Sequence, residues 1–199
     1  LDPVAGYDAR DPASVQQNSL TYAARLNENI KALRVGVLRK FLDGVDGPVR
    51  LAFLAALKTF VDAGCEIIDI DIPELSYAAM TSMITSAAES AGINRRWLRE
   101  RAQDYVPRVA RGIAVGMTIT ASEYFAVQRA RHRIREAVRD AYGKVDIIAA
   151  PTTARVAPPI AQGVKGNGDD ARHASYDQSN LLRFPSMLGL PGCSLPSGF

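Results

Sequence analysis

The chain has 199 residues, 47% of them hydrophobic and 23% charged, with a formal net charge of +3. That balance belongs to an ordinary globular protein with one sizeable core, and no apolar run approaches the roughly 20 residues that a bilayer span needs, so a disordered, fibrous or membrane-spanning chain is excluded. Two cysteines, Cys65 and Cys193, rule out a disulfide framework, and with only His132 and His173 beside them no zinc-ligand spacing arises, so no metal is expected.

Basic residues crowd Arg95 to Arg111 and Gln128 to Arg139, but acidic residues interrupt both stretches. This is the pattern of a solvated helix face, not the dense basic stripe of a nucleic-acid surface. No basic start leads into an apolar segment in the manner of a signal peptide, and the expected location is the cytoplasm.

In chain order, residues 1–20 are rich in Asp, Pro and Gly without periodicity and predict an extended leading loop. "RVGVLRK" (Arg34 to Lys40) predicts a strand, and Pro48 then stands where a first helical turn tolerates it. Val49, Phe53, Ala56, Leu57 and Phe60 recur at helical spacing, and Gly64 supplies the stop. "CEIIDIDIP" is a second strand ended by Pro73. Strand, helix and strand in so short a span form a right-handed parallel βαβ unit, which makes the class α/β.

Helical pattern covers Glu74 to about Ala91 and again Arg95 to about Gly112, where Pro107 kinks or restarts the second stretch. Thr120 to Glu123 reads as a capping box opening a helix that runs to about Tyr142. "VDIIAAP" predicts a fully buried strand, residues 152–180 a long loop of the composition that mobile loops have, and Cys193 to Leu195 a buried strand with a packed thiol.

One residue breaks its pattern. Tyr124, Val127, Ile134, Val138 and Tyr142 share a stripe of the capped helix, and Arg131 lies in the middle of it. A guanidinium there must find an acceptor, because an unpaired buried charge costs several kcal/mol. Either it is satisfied inside the fold, by an ion pair, a backbone carbonyl or snorkelling, or it lines a cleft and faces a ligand oxygen or carboxylate, which its planar fork suits. Ser194 and Ser197 lack the Gly-x-Ser-x-Gly elbow, and neither His132 nor His173 stands where a Ser-His-Asp triad would hold it.

Four segments together resemble the amidase signature family, Ser hydrolases of carboxamides that include the amidotransferase A subunits: "AGYDARDPAS", then "RVGVLR" with "GCEIIDIDIP", then "VDIIAAPTT", and finally "LLRFPSMLGLPGCSLPSGF". The resemblance spans nearly the whole chain and implies a layered α/β/α sandwich with a mixed sheet. In this family a neutral Lys takes a proton, through a Ser held by a cis peptide bond, from the Ser that attacks the amide carbonyl, and backbone N–H groups of a Gly-Ser-rich loop hold the oxyanion. No Gly-Gly-Ser-Ser run occurs here, and Lys31, Lys40, Lys58, Lys144 and Lys165 stand outside any such motif, so no catalytic residue is carried over. Counted back from "VDIIAAPT", Arg131 falls on the family's helix Arg that faces the substrate carboxylate in amidotransferase relatives. Ser186 stands where Asn is common, and Gly192 replaces the usual Ala.

The resemblance therefore implies that residues 1–199 are the C-terminal portion of a single amidase-type domain, inactive alone, completed by the remainder of the amidase chain. The whole would cleave a small carboxamide without metal or organic cofactor, with a small-molecule amide as its partner, neither nucleic acid nor membrane, and a homodimer as family relatives often form. The alternatives are an ammonia-producing amidotransferase A-type subunit, or a stand-alone non-catalytic α/β binding or scaffold domain.

Overall fold

The structure, a computed structural model, describes residues 5–16, 21–157 and 183–198. The central strand β1 (Arg34–Leu38) leads through a 3-10 turn, Arg39–Leu42, to helix α1 (Gly47–Asp62) and strand β2 (Glu66–Ile70). Pro48 lies in the first turn of α1, and Gly64, at φ +89°, turns the chain out of the helix in a conformation that a side chain would resist. After the 3-10 turn Pro73–Tyr77 come α2 (Ala78–Glu100), α3 (Pro107–Gly116), α4 (Ala121–Tyr142) and strand β3 (Ile147–Ala149). The sheet order is β2-β1-β3, with both pairings parallel. The predicted parallel βαβ unit is present; a mixed sheet needs an antiparallel strand, and none is among the described residues.

Register decides what each face of the sheet carries. Val35 and Val37 point to one side, where they meet Leu42, Phe53, Leu57 and Cys65. Gly36 and Leu38 belong to the other, where Ile70, Ile72, Leu75, Ile134, Val138 and Val145 form a second core with Phe184, Met187 and Leu188. Helix α1 thus covers one face and α4 the other, giving three layers. Gly36 makes the second core shallow: a Cβ there would stand 2.9 Å from the Ile70 Cδ1 and 3.0 Å from both Val145 methyls.

Helix α4 begins with a complete capping box. The Thr120 hydroxyl accepts from the Glu123 amide at 3.3 Å, and the Glu123 carboxylate accepts from the Thr120 amide at 2.8 Å. Helices α3 and α4 both pack on α2. At the first crossing Gly116 sits so close that a Cβ would fall 2.0 Å from the Ala87 carbonyl oxygen.

Three expectations need correction. The break expected between Ala91 and Arg95 is absent, and α2 runs unbroken to Glu100. Asn94 donates to the Ser90 carbonyl at 3.0 Å and accepts from the Tyr105 hydroxyl at 3.1 Å, so its polar side chain is satisfied inside the helix. Strand β3 is not fully buried: Ile147 is 38% exposed, because no further strand covers its outer edge among the described residues. Residues 190–198 form no strand, with Cys193 exposed and Leu195 73% exposed, since no neighbouring strand offers them a ladder among the described residues. The turn before them is as expected, with Gly189 at φ +71° ending a helical turn at 183–188 and the Leu190 amide bonded to the Pro185 carbonyl at 2.8 Å. Residues 5–16 of the leading loop are irregular and almost wholly exposed. Most of the loop read at 152–180 lies outside the described residues.

Candidate functional site

Beside its apolar stripe, α4 carries a polar one. Tyr124, Gln128, Arg131 and Arg135 follow at i, i+4, i+7 and i+11, and therefore share a face. Opposite, α2 offers Thr81, Thr85 and Glu89 at the same helical repeat, and the two threonines are buried, 3% and 8% exposed. The Tyr124 hydroxyl donates to Glu89 Oε1 at 2.9 Å, and Gln128 Nε2 donates to Thr85 Oγ1 at 3.4 Å. Arg135 Nη2 donates to the Leu188 carbonyl at 3.4 Å, tying α4 to the helical turn at 183–188. The hydrogen bond to Glu89 holds the Tyr124 phenol above its ordinary pKa; burial and the Glu89 charge add to this, while the positive charge of Arg131 pulls the other way.

Arg131, the residue singled out in the sequence, lies half-buried in this seam. Its Nε is buried and has no hydrogen-bond partner, and among the described residues the guanidinium forms no ion pair. A buried donor of a charged group left unmade costs about 1–3 kcal/mol or more, so packing alone does not explain the side chain. Of the readings open in the sequence, an ion pair or a carbonyl partner for Nε is absent among the described residues, while snorkelling of the half-buried side chain and a ligand both remain open. An N–H without an acceptor is a donor that a ligand carboxylate or carbonyl oxygen could complete.

A cleft of about 390 Å³ opens beyond the C-terminal ends of β1 and β2. Ligands of α/β proteins commonly bind at such strand ends. Phe41, Ile72, Pro73 and Ser76 line it, with Lys40 and Asp71 forming an ion pair at its edge. It shares Leu38, Ile70 and Ile72 with the core beneath α4, but Arg131 does not line it.

The residues set aside as nucleophiles stay apart from any base. Ser194 shares a hydrogen bond of 2.9 Å with the Thr152 hydroxyl, His132 is exposed on α4, and His173 is outside the described residues. Among the described residues no group of three or more His, Cys, Asp or Glu side chains is gathered to hold a metal, and no helix is long and apolar enough to cross a membrane.

The sequence reading missed two features. One is the Thr85–Gln128 and Glu89–Tyr124 pairing; polar residues repeating every four along α2 between Ala78 and Ala91 were the available signal. The other is a staple at the opposite end of the sheet. Arg34 grips Asp146 with Nη2 at 2.8 Å and Nε at 3.2 Å, and the Arg34 amide donates to the same carboxylate at 2.8 Å. These bonds hold Asp146 down at about 2.

A family model described as Amidase matches residues 1–199. The chain belongs to the amidase family. An amidase of Pseudomonas putida is 29% identical over 201 residues, covering 100% of this chain and 43% of its own. The A subunit of a glutamyl-tRNA(Gln) amidotransferase from Synechococcus sp. (strain JA-2-3B'a(2-13)) is 30% identical over 224 residues, with 100% and 42% covered. The chain therefore spans less than half the length of the curated relatives it matches. Among solved structures, a chain of a vestigial protein complex described as revealing the evolutionary origins of an s-triazine catabolic enzyme superimposes with a TM-score of 0.76 at 26% identity, covering 94% of this chain and 40% of that one. The A subunit of the glutamyl-tRNA(Gln) amidotransferase from Thermotoga maritima gives 0.70 at 18% identity, covering 92% and 39%, a likeness of fold. Both the fold class and the family read from the four segments stand.

Proposed function

We propose that the complete protein is an amidase, a hydrolase of C–N bonds acting on a small carboxamide, and that this chain forms one wall of its substrate cleft. The observation that carries the reading is the buried, unpartnered Nε of Arg131 in a chain of the amidase family. In this reading the guanidinium takes a substrate carboxylate or carbonyl oxygen side-on and turns the scissile amide toward the Ser–cis-Ser–Lys machinery carried by the remainder of the amidase chain. Acyl transfer to Ser with Lys as base needs neither metal nor organic cofactor. The protein works in the cytoplasm, free of nucleic acid and membrane, and as a homodimer.

The test is an amide panel on the full-length enzyme. Arg131→Ala lowers kcat/KM about 10- to 100-fold for a carboxylate-bearing amide such as succinamate, the loss expected for a charge-assisted hydrogen bond, and far less for neutral butyramide. Equal rates for the variant and the wild type across the panel would reduce Arg131 to a structural residue. A second reading, an ammonia-supplying A-type subunit, is supported by the relatives carrying that name at 30% identity over the whole chain. It requires that ammonia be transferred to an acceptor with partner subunits present, where the first reading requires free ammonia and acid from the enzyme alone.

A further inference from the structure

The seam that holds Arg131 also holds a carboxylate. Glu89 faces α4 from α2, and its partner is the Tyr124 hydroxyl at 2.9 Å, not the guanidinium. Arginine side chains on a helix lean toward its N-terminus, which on α4 is the direction of Tyr124 and Glu89. Between them stands Gln128, one turn before Arg131, tied to the buried Thr85 at 3.4 Å. The unpartnered Arg131 Nε and an acidic side chain thus occupy one helix–helix seam, with the Tyr124–carboxylate and Gln128–Thr85 hydrogen bonds beside them.

We propose that Tyr124 is a positioning residue which keeps the Glu89 carboxylate engaged and away from Arg131, so that the guanidinium stays open for the substrate oxygen. The inference rests on the reading of Arg131 given above. With the phenol in place, Glu89 has a donor and Gln128 fills the gap. Without it, Glu89 has lost its hydrogen bond, the same seam holds the unpartnered Arg131 Nε, and the internal carboxylate takes the place meant for the external one. Such self-pairing weakens substrate binding as a built-in competitor does, and leaves the bond-breaking machinery untouched.

The experiment uses the full-length enzyme, with succinamate as substrate and succinate as an unreactive probe in a calorimetric titration. Tyr124→Phe is expected to raise KM for succinamate and Kd for succinate about tenfold with kcat within about twofold of wild type, following the population logic of a self-competing site. The decisive variant is the double Tyr124→Phe/Glu89→Gln, which returns both constants to near wild type because the competing charge is gone. A merely structural role for the tyrosine predicts no rescue, and a double variant as weak as the single overturns the proposal. Gln128→Ala opens the same gap from the other side and gives an independent check if Tyr124→Phe folds poorly: its KM also rises and is also restored by Glu89→Gln. Tyr124→Phe and Gln128→Ala both without effect, while Arg131→Ala weakens succinate binding, would sink this inference and leave the reading of Arg131 standing. Arg131→Ala without effect removes both.

Discussion

The two faces of the sheet are built on different terms. Beneath α1, Val35, Val37, Phe53 and Leu57 close an apolar core in which, among the described residues, no polar side chain is buried. On the other side an equally apolar core under Ile134 and Val138 gives way, within two turns of the same helix, to a seam of Thr81, Thr85, Gln128, Tyr124, Glu89 and the orphaned Arg131. Folding alone would favour the first solution everywhere, since a half-satisfied polar cluster is worse than an apolar one. Where a chain keeps the worse solution, a functional site is one expected reason, and that is the reading proposed for Arg131.

Ile134, 1% exposed at the boundary of core and seam, is where this contrast breaks most visibly. Ile134→Ala in the full-length protein should cost about 2–5 kcal/mol, read from chemical unfolding, because the cavity opens under the sheet. A loss below about 1 kcal/mol would mean that the α4 face is as loosely built as the seam. Arg131→Met sharpens the contrast from the other side. It keeps the stem and removes the unmet donor, so unfolding stability should stay level or rise by about 1 kcal/mol while binding of succinate falls. A clear destabilisation would show that the guanidinium supports the fold after all.

The smallest effect is expected at the Arg34–Asp146 staple. The Asp146 carboxylate is held at about 2, below its unfolded value of about 3.9, so its contribution is complete above roughly pH 4 and fades as the pH falls toward 2. Asp146→Asn should lower stability slightly at neutral pH, flatten the acid limb over that window and leave stability near pH 2 little changed. Both side chains of the pair are partly exposed, which keeps the effect small.

What could be read from the sequence was local. Alternation in "RVGVL", Pro48 and Gly64 around α1, and the Thr120–Glu123 box each specify their element through contacts within a few residues, and all stand as read. Arg131 was legible because a charge on an apolar stripe breaks a period. The illegible parts depend on distant partners. The continuity of α2 past Ala91 rests in part on Tyr105, which satisfies Asn94, and Cys193 to Leu195 read as a strand although no ladder receives them among the described residues. Glu89 is an ordinary surface acid until α4 sets Tyr124 against it.

The staple that joins residues 34 and 146 spans 112 positions, and β1 gains its second neighbour only through residues just beyond it. During synthesis β1, α1 and β2 can assemble early, yet one edge of β1 then waits for about 4–15 s of further translation before β3 arrives. If that edge of β1 stays uncovered in the interval, it is a template for a chaperone that recognises extended apolar segments until β3 pairs with it.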